Sequence, residues 1–259
     1  MMKGLKGKTA IVTGSARGIG KGIAENLCRR GCRVIVADVL YEEAQQTARE
    51  LTEKYDGEAR AWKIDLLQEE QIGQMMDEIH QQYGSIDILV NNAGITVREA
   101  AMEISSADFE RVLGVNLKSY YLASRCAARY MKDQETRGSI ICISSCNSEH
   151  YTSRRSPYNI SKAAVNGLIG TLGVEWGRLG IRINGVAPGY VLTDMVQEGI
   201  NQGIIEPDKI MTIVPLKRFL SEEEIGNAVS FLASDEASGI TGQTLFVDGG
   251  WSKCGLPEE

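Results

Sequence analysis

The chain has 259 residues, 43% of them hydrophobic, and a formal net charge of −6. A chain of that length buries most of its unfolded surface and needs no disulfide or metal staple to fold. Its Lys and Arg residues are scattered, with no basic stripe, so no nucleic-acid partner is expected.

Residues 1–8 carry no long apolar stretch before a cleavage site, and no run is long enough to span a membrane. Neither a signal peptide nor a membrane partner is expected, and the cytoplasm is the expected location. A first Val- and Ile-rich strand is predicted over residues 9–13, followed by a helix over 18–30. Between them runs Thr13-Gly14-Ser15-Ala16-Arg17-Gly18-Ile19-Gly20. Glycines let a backbone approach a pyrophosphate, and a helix N-terminus offers free N–H groups and a positive dipole end. The spacing is G-x-x-x-G-x-G, and its place between a first strand and a helix gives it weight.

A second strand, 33–37, leads to Asp38. A carboxylate there can accept hydrogen bonds from an adenosine ribose and would repel the extra phosphate of NADP. Arg17 works against that selection, because a guanidinium tolerates a phosphate. After a helix over 42–55, a third strand, 59–64, ends at Asp65-Leu66. Asp65 either accepts from an adenine amino group or caps the next helix, 69–83. A fourth strand, 86–90, runs into Asn91-Asn92-Ala93-Gly94, where small residues again suit close backbone approach.

A long helix is predicted over 107–131, then a polar loop over 133–138 and a fifth strand over 139–143. Ser145 follows it, with Ser144 the alternative, at the strand end that faces the ligand crevice of an open parallel sheet. The segment Ser156-Pro157-Tyr158-Asn159-Ile160-Ser161-Lys162 then starts a helix over 157–179, with Ser156 as cap and Pro157 at the first position. Tyr158 and Lys162 stand at i and i+4 on one face. A nearby ammonium and the helix N-terminus are expected to lower the phenol pKa from about 10, so that Tyr158 serves as a proton acceptor or donor. Three features border the expected substrate pocket, namely His150, Arg154 and Arg155. Adjacent arginines suit a carboxylate, phosphate or sulfonate.

A sixth strand, 181–186, precedes the irregular stretch 191–218, read as a substrate lid. A helix over 222–233 and a seventh strand over 243–247 complete the pattern. The alternation of buried strands and helices predicts one doubly wound α/β domain over 1–259, a seven-stranded parallel Rossmann-type sheet with helices on both faces. Among six cysteines, Cys28-x-x-x-Cys32 and Cys142-x-x-x-Cys146 have spacings open to a metal. Cys142 lies in an apolar run and only two histidines are present, so no metal is expected.

Taken together the motifs resemble those of the short-chain dehydrogenase/reductase family. Thr13–Gly20 fits its T-G-x-x-x-G-x-G, Asn91–Gly94 its N-N-A-G and Tyr158–Lys162 its Y-x-x-x-K; Ser145 stands 13 residues before Tyr158. Asn116 matches a helix-kinking Asn. Pro188, Gly189, Val191 and Thr193 match the stretch beside the nicotinamide, and Gly242 with Val247-Asp248-Gly249-Gly250 the C-terminal end. The resemblance implies that Tyr158 is the general acid/base and that Lys162 lowers its pKa and binds the nicotinamide ribose. It further implies that Ser145 orients the substrate oxygen, that Asn116 holds a water in a relay with Lys162, and that the chain forms a homotetramer. Ser148-Glu149-His150 departs from the small residue or Gly usual three positions after the Ser.

The expected function is hydride transfer between NAD and a secondary alcohol or ketone, whether polyol, sugar, hydroxy acid or related small alcohol. Two alternatives stand beside it: an NADPH-dependent 3-oxoacyl-carrier reductase and a non-catalytic NAD sensor.

Overall fold

Strands that are apolar on both sides need cover on both faces of their sheet. The computed structural model describes residues 2–55 and 57–254, so Met1, Asp56 and 255–259 of the predicted domain lie outside it. Among the described residues seven strands form one sheet: β1 (Thr9–Thr13), β2 (Arg33–Asp38), β3 (Ala59–Lys63), β4 (Ile88–Asn91), β5 (Gly138–Ile143), β6 (Ile181–Pro188) and β7 (Thr244–Val247). Their order is β3-β2-β1-β4-β5-β6-β7, and every pairing is parallel.

Alternate residues of each strand feed two separate cores. Val12, Val34, Val36, Ile88, Val90 and Ile141 face one side, where they meet α1 (Gly18–Arg29), α2 (Tyr41–Tyr55) and α9 (Glu222–Ala233). Ile11, Ile35, Leu89, Ile140 and Cys142 face the other and meet α3 (Glu69–Tyr83), α5 (Ser119–Met131) and α6 (Ser156–Gly177). Cys142 is fully buried there, and burial pushes its thiol up to about 12, so it packs as a small hydrophobe.

The strand order reverses between β1 and β4. Chains leaving their C-terminal ends therefore part in opposite directions and leave a crevice, the usual ligand position in such sheets. The predicted helix over 107–131 is broken. α4 (Ser106–Leu113) gives way to a π turn over Gly114–Lys118, and only then does α5 begin. The predicted lid, 191–218, contains α7 (Asp194–Asn201) and α8 (Pro207–Ile213), neither with a buried residue. A parallel bridge between Val191 and Leu220 ties its two ends together. Among the described residues no helix is long and apolar enough to cross a membrane, and no three His, Cys, Asp or Glu cluster as a metal would require.

Candidate active site

A cleft of about 590 Å³ opens at the β1–β4 reversal. One wall is the loop between β1 and α1. Gly14 has φ +64°, and a Cβ there would lie 2.6 Å from Ala93 Cα, so only glycine lets this loop rest on the one after β4. Asn92 locks the two: its Nδ2 donates to Thr13 O at 2.9 Å and Gly14 O at 2.8 Å. Thr13 Oγ1 accepts from the Asn92 N–H at 3.0 Å.

Gly18 has φ +59°, and a Cβ there would meet only Thr193 Cγ2 at 3.9 Å. That side of the loop is open cleft. α1 starts at Gly18 with no side-chain cap and no acidic residue in its first turn. Its unsatisfied N–H groups and positive dipole end suit a pyrophosphate, so the residues present fit a dinucleotide. Ile19 and Gly20 also line the cleft, whereas Ser15 does not. The Ser15 hydroxyl turns inward and donates to Val12 O at 2.6 Å.

Asp38 stands at the end of β2, 8% exposed, on the cleft wall. Its carboxylate accepts from Ala16 N–H and Leu40 N–H, both at 3.0 Å. These bonds fix its direction beside Arg17, whose side chain is 62% exposed. Asp65 and Leu66 also line the cleft. Asp65 does not cap α3, whose N-cap is Gln68; it closes a turn by accepting from Leu67 N–H at 2.9 Å.

The opposite end of the cleft holds Ser145, Tyr158 and Lys162, with Ser144 and Ile143 beside them. Arg155, not Ser156, is the N-cap residue of α6, and Pro157 lies in its first turn. Lys162 is 3% exposed. Its Nζ donates to Ile143 O at 2.7 Å and lies 3.4 Å from Tyr120 Oη. The same nitrogen is 5.8 Å from the centre of the Tyr158 ring. Burial pushes the ammonium down to about 8.

Tyr158 departs from the expected direction. Burial raises its pKa above the ordinary value. A hydrogen bond with Ser145 and the charge of Arg155 work the other way without winning, and Cys146 adds to the rise. The expected lowering by Lys162 is absent because its ammonium is aimed at the Ile143 carbonyl and desolvation of the phenolate outweighs the remaining attractions.

Lys162 also sets up a stability test. A free lysine titrates near 10.5 and Lys162 near 8. Folding is therefore opposed in full below pH 8, and the opposition fades as pH rises from 8 to 10.5 and is gone above that. Lys162→Met removes a cost of about 3 kcal/mol and strands the Ile143 carbonyl for about 1–2 kcal/mol. At neutral pH the expected net gain is about 1–2 kcal/mol, or roughly 2–8 °C in Tm by calorimetry. A lower Tm would show that the buried ammonium stabilises the fold.

Asn116 sits in the π turn, fully buried. Its Oδ1 accepts from Ile95 N–H at 2.8 Å, and its Nδ2 donates to Ile95 O at 2.9 Å and Ser161 Oγ at 3.0 Å. It pins the loop after β4 to α6. A Cβ on Gly94 would lie 3.5 Å from Asn116 Oδ1 and 3.7 Å from Lys162 Nζ, so both polar groups approach the same glycine. Asn116 itself lies behind the cleft wall. Ser144 Oγ is engaged with Asn166 Oδ1 at 2.8 Å, and Ser145 Oγ accepts from Asn147 N–H at 3.1 Å.

The substrate end is closed by residues from distant segments. Pro188, Gly189 and Thr193 line the cleft together with Met195 of α7, which sequence reading missed. Val191 is buried beneath them in its bridge to Leu220, away from the cleft wall. Trp251, also missed, packs at a tilt against Tyr190 and His150, with ring centres 5.0 Å and 6.1 Å apart. His150 is thereby drawn to the C-terminal segment. Arg154 points away, paired with Glu99 at 3.2 Å, while Arg155 is half-buried close to Tyr158.

The comparisons with known proteins follow the whole of this architecture. A family model described as enoyl-(acyl carrier protein) reductase matches residues 14–252. The 3-oxoacyl-[acyl-carrier-protein] reductase FabG of Aquifex aeolicus is 39% identical over 249 residues, covering 95% of this chain and 98% of its own. Glucose 1-dehydrogenase 2 of Bacillus subtilis is 34% identical over 255 residues, 96% of each chain. The crystal structure of a gluconate 5-dehydrogenase from Burkholderia cenocepacia in complex with NADP and tartrate superposes with a TM-score of 0.89 at 33% identity, covering 96% of this chain and 97% of that one. Likeness of that extent, on a sheet whose crevice joins a dinucleotide cradle to a Ser-Tyr-Lys group, means that the chain belongs to the short-chain dehydrogenase/reductase family of nicotinamide-dependent oxidoreductases.

Proposed function

We propose that the chain is an NAD-dependent dehydrogenase interconverting a secondary alcohol and its ketone, on a polyol, sugar or hydroxy acid. The observation that carries this reading is the meeting of Ser145, Tyr158 and Lys162 at one end of a cleft whose other end is Asp38. Gly14, Gly18, Ile19, Gly20 and the backbone of Ser15 hold the pyrophosphate; Asn92, Ala93, Gly94, Pro188, Gly189 and Thr193 line its path to the reacting end. Asp38 takes the adenosine ribose hydroxyls, and Asp65 with Leu66 flanks the adenine. A nicotinamide bound there supplies the hydride acceptor in oxidation and the donor in reduction.

Ser145 donates a hydrogen bond to the substrate oxygen and fixes its position. Tyr158 takes the hydroxyl proton during oxidation and returns it during reduction. Lys162 holds the nicotinamide ribose. Asn116 orients a water that passes the proton on from Lys162. Because burial holds the Tyr158 phenol above its ordinary value, oxidation should quicken as pH rises towards that pKa, and reduction should quicken as it falls. The segment 191–218 acts as the lid, and the chain works as one domain over 1–259. A homotetramer is supported by the exposed apolar face of α5 and α6, where Val174 is 84%, Ile160 48% and Tyr121 44% exposed. The free thiols of Cys28, Cys32, Cys126, Cys142 and Cys146 suit the reducing cytoplasm.

NAD rather than NADP rests on the Asp38 carboxylate; Arg17 and the NADP of the Burkholderia relative argue for the phosphate. A second reading, the 3-oxoacyl-carrier reductase, is favoured by the 39% identity to the Aquifex enzyme and disfavoured by Asp38. A sensor of NAD would have no use for the assembled Ser145, Tyr158 and Lys162.

The test is nicotinamide reduction by the purified protein with NAD or NADP over a panel of neutral and anionic secondary alcohols. Turnover with NAD is expected on polyols or hydroxy acids. Turnover confined to NADPH and 3-oxoacyl thioesters would replace this reading with the second.

A further inference from the structure

The loop after β4 meets the start of α6 through one backbone bond, from Glu99 N–H to Arg154 O at 3.1 Å. Four charged side chains leave that junction: Arg98, Glu99, Arg154 and Arg155. The inner two neutralise each other, with Arg154 Nη2 3.2 Å from Glu99 Oε1. The outer two do not find a carboxylate. Among the described residues neither Arg98 nor Arg155 forms an ion pair.

These two cations share one neighbourhood. The Arg98 charge bears on Arg155, and both bear on Tyr190. Arg155 also acts on Tyr158, three residues further along α6. Arg155 is the N-cap residue of α6, one turn before Tyr158, and the Glu99–Arg154 backbone bond brings the segment carrying Arg98 against it. Arg155 is half-buried, so its charge is partly stripped of water while a like charge repels it. Uncompensated charge of this kind destabilises a fold. An anion brought in by a ligand would offset the repulsion and the lost hydration together. A guanidinium offers a planar pair of donors that matches a carboxylate. The first turn of α6 adds little for a phosphate, since Pro157 has no N–H and no lysine stands at the junction.

We propose that Arg98 and Arg155 form a subsite for the carboxylate of a hydroxy acid whose carbinol lies at Ser145 and Tyr158. The inference rests on the dehydrogenase reading and narrows its substrate to anions. It also replaces the Arg154–Arg155 pair suggested by sequence adjacency with a pair drawn from two segments.

The experiment pairs lactate, tartrate and gluconate with neutral polyols of the same carbon number. Binding of each to the protein–NAD complex is measured by isothermal titration calorimetry, and nicotinamide reduction is followed in parallel. At least one acid should bind tenfold or more tighter than its neutral partner. Arg98→Met and Arg155→Met should each weaken that acid tenfold or more, and the double variant should erase the preference. Arg155→Lys should recover only part, because an ammonium lacks the planar fork. Arg154→Met should keep the preference within about twofold, since that side chain is held by Glu99. Arg98 is exposed, so Arg98→Met and Arg98→Glu test the subsite even where Arg155→Met folds poorly.

Equal binding of acids and polyols, no binding of either, or a preference that survives the double variant would overturn the subsite. Oxidation of polyols without acid preference would do so while leaving the dehydrogenase reading intact. Arginine-dependent acid binding with no nicotinamide reduction would keep the subsite and reject that reading.

Discussion

Tyr158→Phe should lower kcat about a thousandfold in both directions while leaving the dissociation constant for NAD within about twofold. General acid–base groups contribute roughly 10²–10⁴-fold to rate, and the phenol stands on the cleft wall with Ser145. The ring is retained, so the wall keeps its shape. Lys162 is held by Ile143 O and approached by Tyr120 Oη, not by the Tyr158 hydroxyl, so the substitution leaves the lysine in place. Stability should change by only about 1 kcal/mol, the worth of one hydrogen bond to Ser145. Single-turnover nicotinamide absorbance and cofactor titration separate the two effects. A fall in kcat below tenfold would remove Tyr158 from proton transfer. A matching loss of NAD affinity would make its role one of binding.

Asp38→Ser should shift the NAD/NADP ratio of kcat/KM about a hundred- to a thousandfold towards NADP. Two terms add. A carboxylate about 4 Å from a phosphate costs roughly 1–2 kcal/mol in the solvent-screened mouth of a cleft, and charge-assisted bonds to the ribose hydroxyls are worth about 1.5–3 kcal/mol. Asp38 accepts from Ala16 and Leu40 N–H groups. Removing its charge leaves those donors free for an anion, with the exposed Arg17 guanidinium alongside. Serine can keep one of the two bonds, which limits damage to the loop. Steady-state kinetics with both cofactors decides the matter. A change below about fivefold, or a wild-type preference for NADP, would show that Asp38 is not the selector.

Some of this site was legible in residue order. The Thr13–Gly20 loop could be placed because glycine's freedom and a helix N-terminus are properties of a few consecutive residues. The same holds for Tyr158 and Lys162, one helical turn apart. Alternation of apolar residues predicted seven strands, and all seven are present with ends shifted by a few residues. β6 runs on to Pro188, since its last residues pair with β7.

Other features had no local signal. Asn116 matches a helix-kinking Asn by its motif, but the partners that hold it, Ile95 and Ser161, lie far from it in sequence. The inward turn of the Ser15 hydroxyl had no signal either, because nothing in the motif says which way a side chain turns. Trp251 follows the last strand and shows no periodicity, yet it packs against Tyr190 and His150.

The sequence by itself determined the α/β alternation, the glycine-rich loop at the start of the first helix and the spacing of Tyr158 and Lys162, because each depends on backbone freedom, periodicity or spacing within one segment. Only the tertiary structure decided which way Tyr158 titrates, where Lys162 points and which arginine is left without a carboxylate. Those outcomes depend on desolvation and on charges converging from separate segments, and their balance is struck only once the chain has folded.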